Sequence, residues 1–219
     1  MSDRLHEFEG PDIRVSWSAK RCIHAAECVR GLPAAFRPGF KPWITPERAT
    51  ADRIAEVVMR CPTGALHFER KDGRPAEPVP GSNDVQPTAD GPLYLSGELE
   101  ILRADGTLLL RDTRVALCRC GQSRNKPFCD NSHRETDFAD PGEVFEGGVK
   151  PGTGVQAAGP LRVTVSADGP LIVDGPVTVR SADERVALKG GRVALCRCGN
   201  SRNKPFCDSS HTAAGFKAD

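Results

Sequence analysis

Short runs of alternating apolar and polar residues recur along this chain, and one stretch carries a helical period instead. Ile54, Val57, Val58 and Cys61 fall at i, i+3, i+4 and i+7, which gives one apolar stripe and puts Cys61 at the C-terminal end of a helix. Thr45 and Pro46 ahead of it suit an N-cap and a first helical position. The segments IRVSWS before this helix and ALHFER after it alternate as strands do. Residues 1–70 are therefore expected to fold as a small α+β unit. Further on, LYLSGELEIL with TLLLRDT, and LIVDGPVTVR with RVALKGGRVAL, are alternating runs broken by Asp-Gly or Gly-Gly, the pattern of hairpins.

Between these regions the pattern lapses. KDGRPAEPVPGSNDVQPTADG has four prolines and four acidic residues and almost nothing to bury, so residues 71–90 are expected to be a flexible linker. From Gly91 the chain repeats itself at an offset of 78 residues: Gly91, Gly97, Cys118, His133 and Phe138 recur as Gly169, Gly175, Cys196, His211 and Phe216. From Arg114 to His133 only two positions differ between the copies, Gln122 against Asn200 and Asn131 against Ser209. The flanking strands match only in polarity, and a shared site accounts for that contrast better than shared packing. The expected organisation has mostly-β copies at 91–140 and 161–219, joined by a Gly-rich linker at 141–160. GGVKPGTG in that linker lacks the Lys-Ser/Thr of a phosphate loop and reads as a spacer.

Composition narrows the chemistry. With 38% hydrophobic residues, 22 Gly and 18 Pro in 219 residues, several small units are expected, of the loop-rich kind that needs covalent or metal staples. Nine cysteines could supply them. The count is odd, and MSDRLHEFEG is charged where a secretory signal would be apolar, so metal ligation ranks above disulfides. No apolar run approaches the roughly 18 residues of a membrane span. A net charge of +1 gives no bias toward nucleic acid or anionic lipid. These features predict a soluble, cytoplasmic chain.

Each copy carries C-x-C-x8-C-x3-H. In an extended chain, side chains two apart share a side, so Cys118 and Cys120 can reach one metal ion. Pro127, Cys129 and Asp130 resemble the start of a short helix on which Cys129 and His133 would stack at i and i+4. The same holds for Cys196, Cys198, Cys207 and His211. Two such donor pairs could close on one Zn²⁺ as Cys₃His, or hold the two irons of a [2Fe–2S] cluster.

The run Cys118-x-Cys120-x2-Ser123-x3-Pro127-x-Cys129-Asp130-x-Ser132-His133, with its match from Cys196 to His211, resembles the motif of the CDGSH iron–sulfur (NEET) family. Asn131 and Ser209 stand where that family has Gly, so a positive φ there would suit Asn better than Ser. The resemblance implies a [2Fe–2S] cluster in each copy, one iron on the Cys pair and the other on the Cys–His pair. It also implies that the copies pair within the chain about a pseudo-two-fold axis under a shared β cap, making the protein a monomer with an internal dimer. Two ferric ions, two sulfides and three thiolates sum to about −1, against −2 for an all-thiolate site, which raises the potential. A protonatable imidazole makes the clusters acid-labile. Arg119, Arg124, Lys126 and their counterparts Arg197, Arg202 and Lys204 surround the sites; they read as solvated loops, or as charge that stabilises the reduced cluster or docks an acidic partner.

In the N-terminal unit, Cys22-x5-Cys28 with the distant Cys61-Pro62-Thr63-Gly64-Ala65 resembles the divergent mono-cluster ferredoxins over residues 11–70. Ala25 stands where a four-iron ferredoxin has its middle cysteine. The resemblance thus implies either a [3Fe–4S] cluster on Cys22, Cys28 and Cys61, or a [4Fe–4S] cluster with a fourth ligand such as His24. His6 and His67 are expected to be structural. Three functions remain: an electron-transfer protein working with a redox partner protein, a carrier or sensor that passes clusters to an apo-acceptor, and a zinc-stabilised interaction module. No catalytic motif is present, so no enzymatic activity is expected.

Overall fold

The computed structural model describes residues 4–152 and 159–218. It is mixed and sheet-rich with few helices, and divides into two compact units, Met1–Pro78 and Val79–Asp219. Among the described residues no helix is long and apolar enough to cross a membrane.

The first unit is an antiparallel sheet of β1 (Leu5–Glu9), β2 (Ile13–Ser18) and β3 (Leu66–Arg70), with β2 in the middle. Against it packs α2 (Ala51–Met59), with α1 (Glu27–Gly31) beside α2. Both expected strands and the apolar stripe are present: Ile54, Val57 and Val58 are fully buried with Ile13 and Val15. The helix starts later than expected. Thr45 and Pro46 open a separate 3-10 turn at Pro46–Arg48, and the N-cap is Thr50, whose hydroxyl accepts the Arg53 N–H at 3.4 Å. Cys61 follows the C-cap residue Arg60, just outside the helix.

The second unit holds β4 (Asp84–Pro87), β5 (Leu93–Leu102), β6 (Leu108–Leu117), β7 (Val149–Lys150), β8 (Leu161–Val165), β9 (Leu171–Arg180) and β10 (Ala187–Leu195) in one sheet. The hairpins β5–β6 and β9–β10 are as expected, the first turning through Asp105-Gly106 with Gly106 at φ +83°. The Gly190-Gly191 pair is not a turn; it forms a bulge inside β10.

The expected linkers need correction. Residues 71–90 include β4, with Val85 fully buried, while Glu77 accepts the Phe68 N–H and faces His67 Nδ1, both at 3.0 Å. In the span 141–160, Val144 is buried in the core and β7 pairs with β10. Residues 153–158 of that span, including the end of GGVKPGTG, lie outside the described residues.

The copies do not form separate domains either, because they exchange strands. β4 runs antiparallel to the first half of β5 and parallel to the far half of β9, with Asp84 opposite Thr178. β8 does the same in reverse, antiparallel to β9 and parallel to β5, with Arg162 opposite Glu100. Every one of these pairings recurs at the 78-residue offset. One core serves both copies, with Val85, Leu95 and Ile101 packed in the same cluster as Val163, Val173 and Val179. Ion pairs Arg180–Asp84 (2.7 Å) and Arg162–Glu100 (3.0 Å) cross the seam.

Candidate metal centres

Each hairpin ends by delivering a cysteine. β6 runs into Cys118 and β10 into Cys196, and the loop then folds back through cis Lys126–Pro127 or Lys204–Pro205. The backbone fastens this loop: Cys129 N–H donates to the Ala116 carbonyl at 2.9 Å, and Cys118 N–H to the Pro127 carbonyl at 2.8 Å. Ser123 Oγ donates to the Phe128 carbonyl (2.7 Å), and the Asp130 carboxylate accepts the backbone N–H groups of Arg124 and Ser132. Burial alone would raise the Asp130 pKa, but the Ser132 hydroxyl and these N–H groups hold it below the usual carboxylate range.

The expected donors meet in pairs. Cys118 and Cys120 sulfurs lie 3.8 Å apart, and Cys196 and Cys198 sulfurs 3.7 Å. Cys129 Sγ is 3.5 Å from His133 Nδ1, and Cys207 Sγ is 3.5 Å from His211 Nδ1. Metal bonds of about 2.3 Å to sulfur and about 2.1 Å to nitrogen, at the tetrahedral angle, would space two sulfurs by about 3.8 Å and sulfur and nitrogen by about 3.6 Å. Each pair thus spans one edge of a metal tetrahedron. Among the described residues no three His, Cys, Asp or Glu side chains close around a single ion-sized point. Each copy thus offers two such donor edges.

The Cys–His pair does not share a helix as expected. Cys129 precedes a 3-10 turn at Ser132–Glu135, and Cys207 precedes α3 (Ser210–Ala213). The positions before these turns, Asn131 (φ +73°) and Ser209 (φ +71°), are left-handed and swing the chain so that the histidine faces the cysteine. The left-handed region costs most L residues about 1–2 kcal/mol, and Asn less. Ser209→Gly is expected to raise the stability of the second unit by about 0.5–1 kcal/mol, with a smaller gain for Asn131→Gly. Denaturant titration of the metal-free protein reads this directly.

Burial favours the thiol at Cys129, Cys196 and Cys207, while Cys118 is pushed toward the thiolate. Burial pushes Cys129 and Cys196 up to about 11, and Cys207 is raised for the same reason. Within the first Cys pair, a hydrogen bond from Cys120 lowers Cys118, while Cys120 itself is raised. Backbone N–H groups of Gln122, Asn131, Asn200 and Ser209 point at the sulfurs from 3.4 Å. Metal binding here must therefore displace protons, with those N–H groups ready to stabilise the thiolates. Burial, followed by the nearby charges of Arg134 and Arg119, lowers the His133 pKa and favours the neutral imidazole that a metal needs.

The basic residues differ from expectation. Arg119 and Arg197 are not solvated; each is 1% exposed. Arg119 donates to the carbonyls of Gly91 (2.9 Å) and Thr88 (2.5 Å), pairs with Asp140 and lies over the Phe138 ring. Arg197 repeats this with Gly169 (3.0 Å), Ser166 (2.6 Å) and Phe216, and reaches the Ala218 carbonyl at 3.3 Å. Each clamps its cysteine loop to the turn before the hairpin and to the segment after the histidine. Lys126 and Lys204 bond the carbonyls of Ser123 and Ser201 in their own loops. Arg124 and Arg202 alone among the six are exposed. The signal for the clamp was the recurrence of Phe138 as Phe216, outside the cysteine motif.

The two sites adjoin. Cys120 and Cys198 form an antiparallel backbone bridge. A Cβ on Gly121 would lie 2.5 Å from the Cys198 carbonyl oxygen, and one on Gly199 2.6 Å from that of Cys120.

In the first unit, Cys22, Cys28 and Cys61 border one cavity of about 30 Å³, together with His24, Ala25 and Trp43. Burial, then the charges of Cys61 and Cys22, pushes the Cys28 thiol up to about 11. His24 and Ala26 are both left-handed, at φ +54° and +64°, which bends the chain around Ala25. His6 packs on Trp17, and His67 faces Glu77.

Residues 90–134 and 168–212 both match the family described as iron-binding zinc finger, CDGSH type. The chain thus carries two CDGSH-type iron-binding repeats. Ahead of the CDGSH repeats, residues 8–71 match the divergent 4Fe-4S mono-cluster family, so the protein is an iron–sulfur protein. "Uncharacterized protein YjdI" from Escherichia coli K12 is 34% identical over 64 residues, 29% of this chain and 84% of YjdI. YjdI from E. coli O157:H7 matches with the same identity and coverage. No solved structure matches.

Proposed function

We propose that this chain is an electron-transfer protein holding three iron–sulfur centres. Cys118 and Cys120 hold one iron of a [2Fe–2S] cluster, and Cys129 and His133 the other. Cys196, Cys198, Cys207 and His211 hold a second such cluster, and Cys22, Cys28 and Cys61 hold a [3Fe–4S] or [4Fe–4S] cluster in a ferredoxin-like unit. The observation that carries the reading is the arrangement of four donors as two tetrahedral edges rather than one closed group. When bound, the clusters supply one-electron chemistry at a potential raised by the neutral imidazole. The chain's own contribution is to position the donors, to offer N–H groups to the sulfurs, and to keep the Cys pairs dry. The recurring strand pairings support an internal pseudo-two-fold pair, so that one chain does the work of a dimer. The protein works with a redox partner in the cytoplasm and catalyses no reaction of its own.

Iron, sulfide and zinc quantified on the purified protein test this. The expected content is about seven or eight irons per chain, four from the two [2Fe–2S] clusters and three or four from the cluster of the first unit. His133→Ala and His211→Ala should each remove the visible absorption of one CDGSH cluster. A colourless protein with about one zinc per repeat would establish the zinc module instead. A second reading, cluster delivery to an apo-acceptor, draws on the partial exposure of Cys207 and His211. Rapid reversible reduction without cluster loss to an apo-ferredoxin favours electron transfer; rapid loss favours delivery.

A further inference from the structure

The two CDGSH sites carry the same donors in different surroundings. Cys129 is 3% exposed, and Ser132 and His133 are each 8% exposed. In the second copy Cys207, Ser210 and His211 are all partly exposed, and Asp208 and Ser209 are exposed. The Cys–Cys edges do not differ, since Cys118, Cys120, Cys196 and Cys198 are all buried. The asymmetry is confined to the edge that carries the histidine.

The residues after the histidine differ in the same sense. Arg134 and Glu135 in the first copy correspond to Thr212 and Ala213 in the second. Arg134 lies close enough for its charge to act on both Cys129 and His133. Glu135 pairs with Arg124 across the loop at 3.5 Å. Thr212 and Ala213 can supply neither contact. Farther along, the Asp140 carboxylate that pairs with Arg119 corresponds to Ala218, which offers a backbone carbonyl. The first copy thus lays charged, paired side chains along its Cys–His edge, and the second lays small ones there.

We propose that the copies have divided their labour: the first retains its cluster, and the second is the exchange site, which yields its cluster to a thiol-bearing acceptor through the Cys207–His211 edge. This rests on the iron–sulfur reading above. The step is a ligand exchange without oxidation or reduction. Four acceptor thiols would replace the four ligands one for one, His211 first and Cys207 next, each incoming thiol forming a sulfur–iron bond as a ligand–iron bond breaks and giving its proton to the imidazole or thiolate it displaces. The Cys196–Cys198 edge, buried against the other copy, is released last.

The test is extraction of the loaded full-length chain with an excess of a dithiol at pH 8, followed by visible absorption and iron release. Two phases are expected from the CDGSH clusters, and Cys207→Ser should remove the faster. Thr212→Arg with Ala213→Glu should slow the fast phase by roughly two- to fivefold, the range that an exposed ion pair spans. Arg134→Thr with Glu135→Ala should speed the slow phase by a similar factor. In the metal-free chain, iodoacetamide should label Cys207 before Cys129, read by mass spectrometry of the two peptides. A single extraction phase, or a fast phase that persists in Cys207→Ser, overturns the division of labour. A chain that binds no cluster defeats the functional reading instead, and equal labelling of Cys129 and Cys207 then overturns the inference on its own.

Discussion

Arg119→Ala is expected to destabilise the second unit by about 3–5 kcal/mol, the cost of stripping one partner from a buried ion pair. The guanidinium side chain is fully buried beside a nearly buried Asp140 carboxylate. Its removal strips the cation from that carboxylate, which keeps only the Gly142 N–H, and takes a donor from the carbonyls of Thr88 and Gly91. It also opens a void beneath Phe138. Lysine would not rescue it, because a single ammonium cannot present the fork that reaches three acceptors on two segments. Urea unfolding of the metal-free protein should show the transition of the second unit move to lower denaturant while that of the first stays fixed. An unchanged midpoint would mean that the buried arginine does not hold the loop.

Gly121→Ala should empty both CDGSH sites while sparing the first unit. At φ +79° the residue already disfavours a side chain, and the added carbon would sit 2.5 Å from the Cys198 carbonyl oxygen and 2.9 Å from its carbonyl carbon. These are backbone atoms and cannot rotate aside. Relief requires the two loops to part, which moves Cys198 of one site and Cys120 of the other together. Gly199→Ala should behave alike, given its 2.6 Å approach to Cys120. Gly106→Ala is the control, since φ +83° there faces open space and costs only the left-handed strain of about 1 kcal/mol. Iron content should fall to that of the first unit in Gly121→Ala and stay full in Gly106→Ala; full loading of both variants would refute the contact.

What the sequence disclosed depended on how local each signal was. The hairpins and the apolar stripe of α2 were legible because periods of 2 and 3.6 are written in adjacent residues. The donor pairs were legible because two- and four-residue spacings leave few geometries open. β1 went unread because it is almost wholly exposed, so its residues carry no burial pattern. β4 hid in a proline-rich stretch since only Val85 and Pro87 face inward. The start of α2 was misplaced because Thr45-Pro46 and Thr50 offer similar caps, and only packing chose between them. Arg119 misled most: a cation beside a metal motif suggests solvent, whereas its acceptors, Thr88, Gly91 and Asp140, stand 21 to 31 residues away. Strand exchange between the copies left no local trace at all.

That exchange also constrains how the chain could be taken apart. Severed from its sibling, the first copy would keep β4 on half of β5 and leave the stretch from Leu99 to Leu102 without its neighbour. The second copy would bare Thr178 and Val179 on β9 in the same way. Such naked backbone recruits whatever complementary ribbon is nearest. Fragments made separately should therefore seek one another, or their own kind, before either persists as a stable solitary piece.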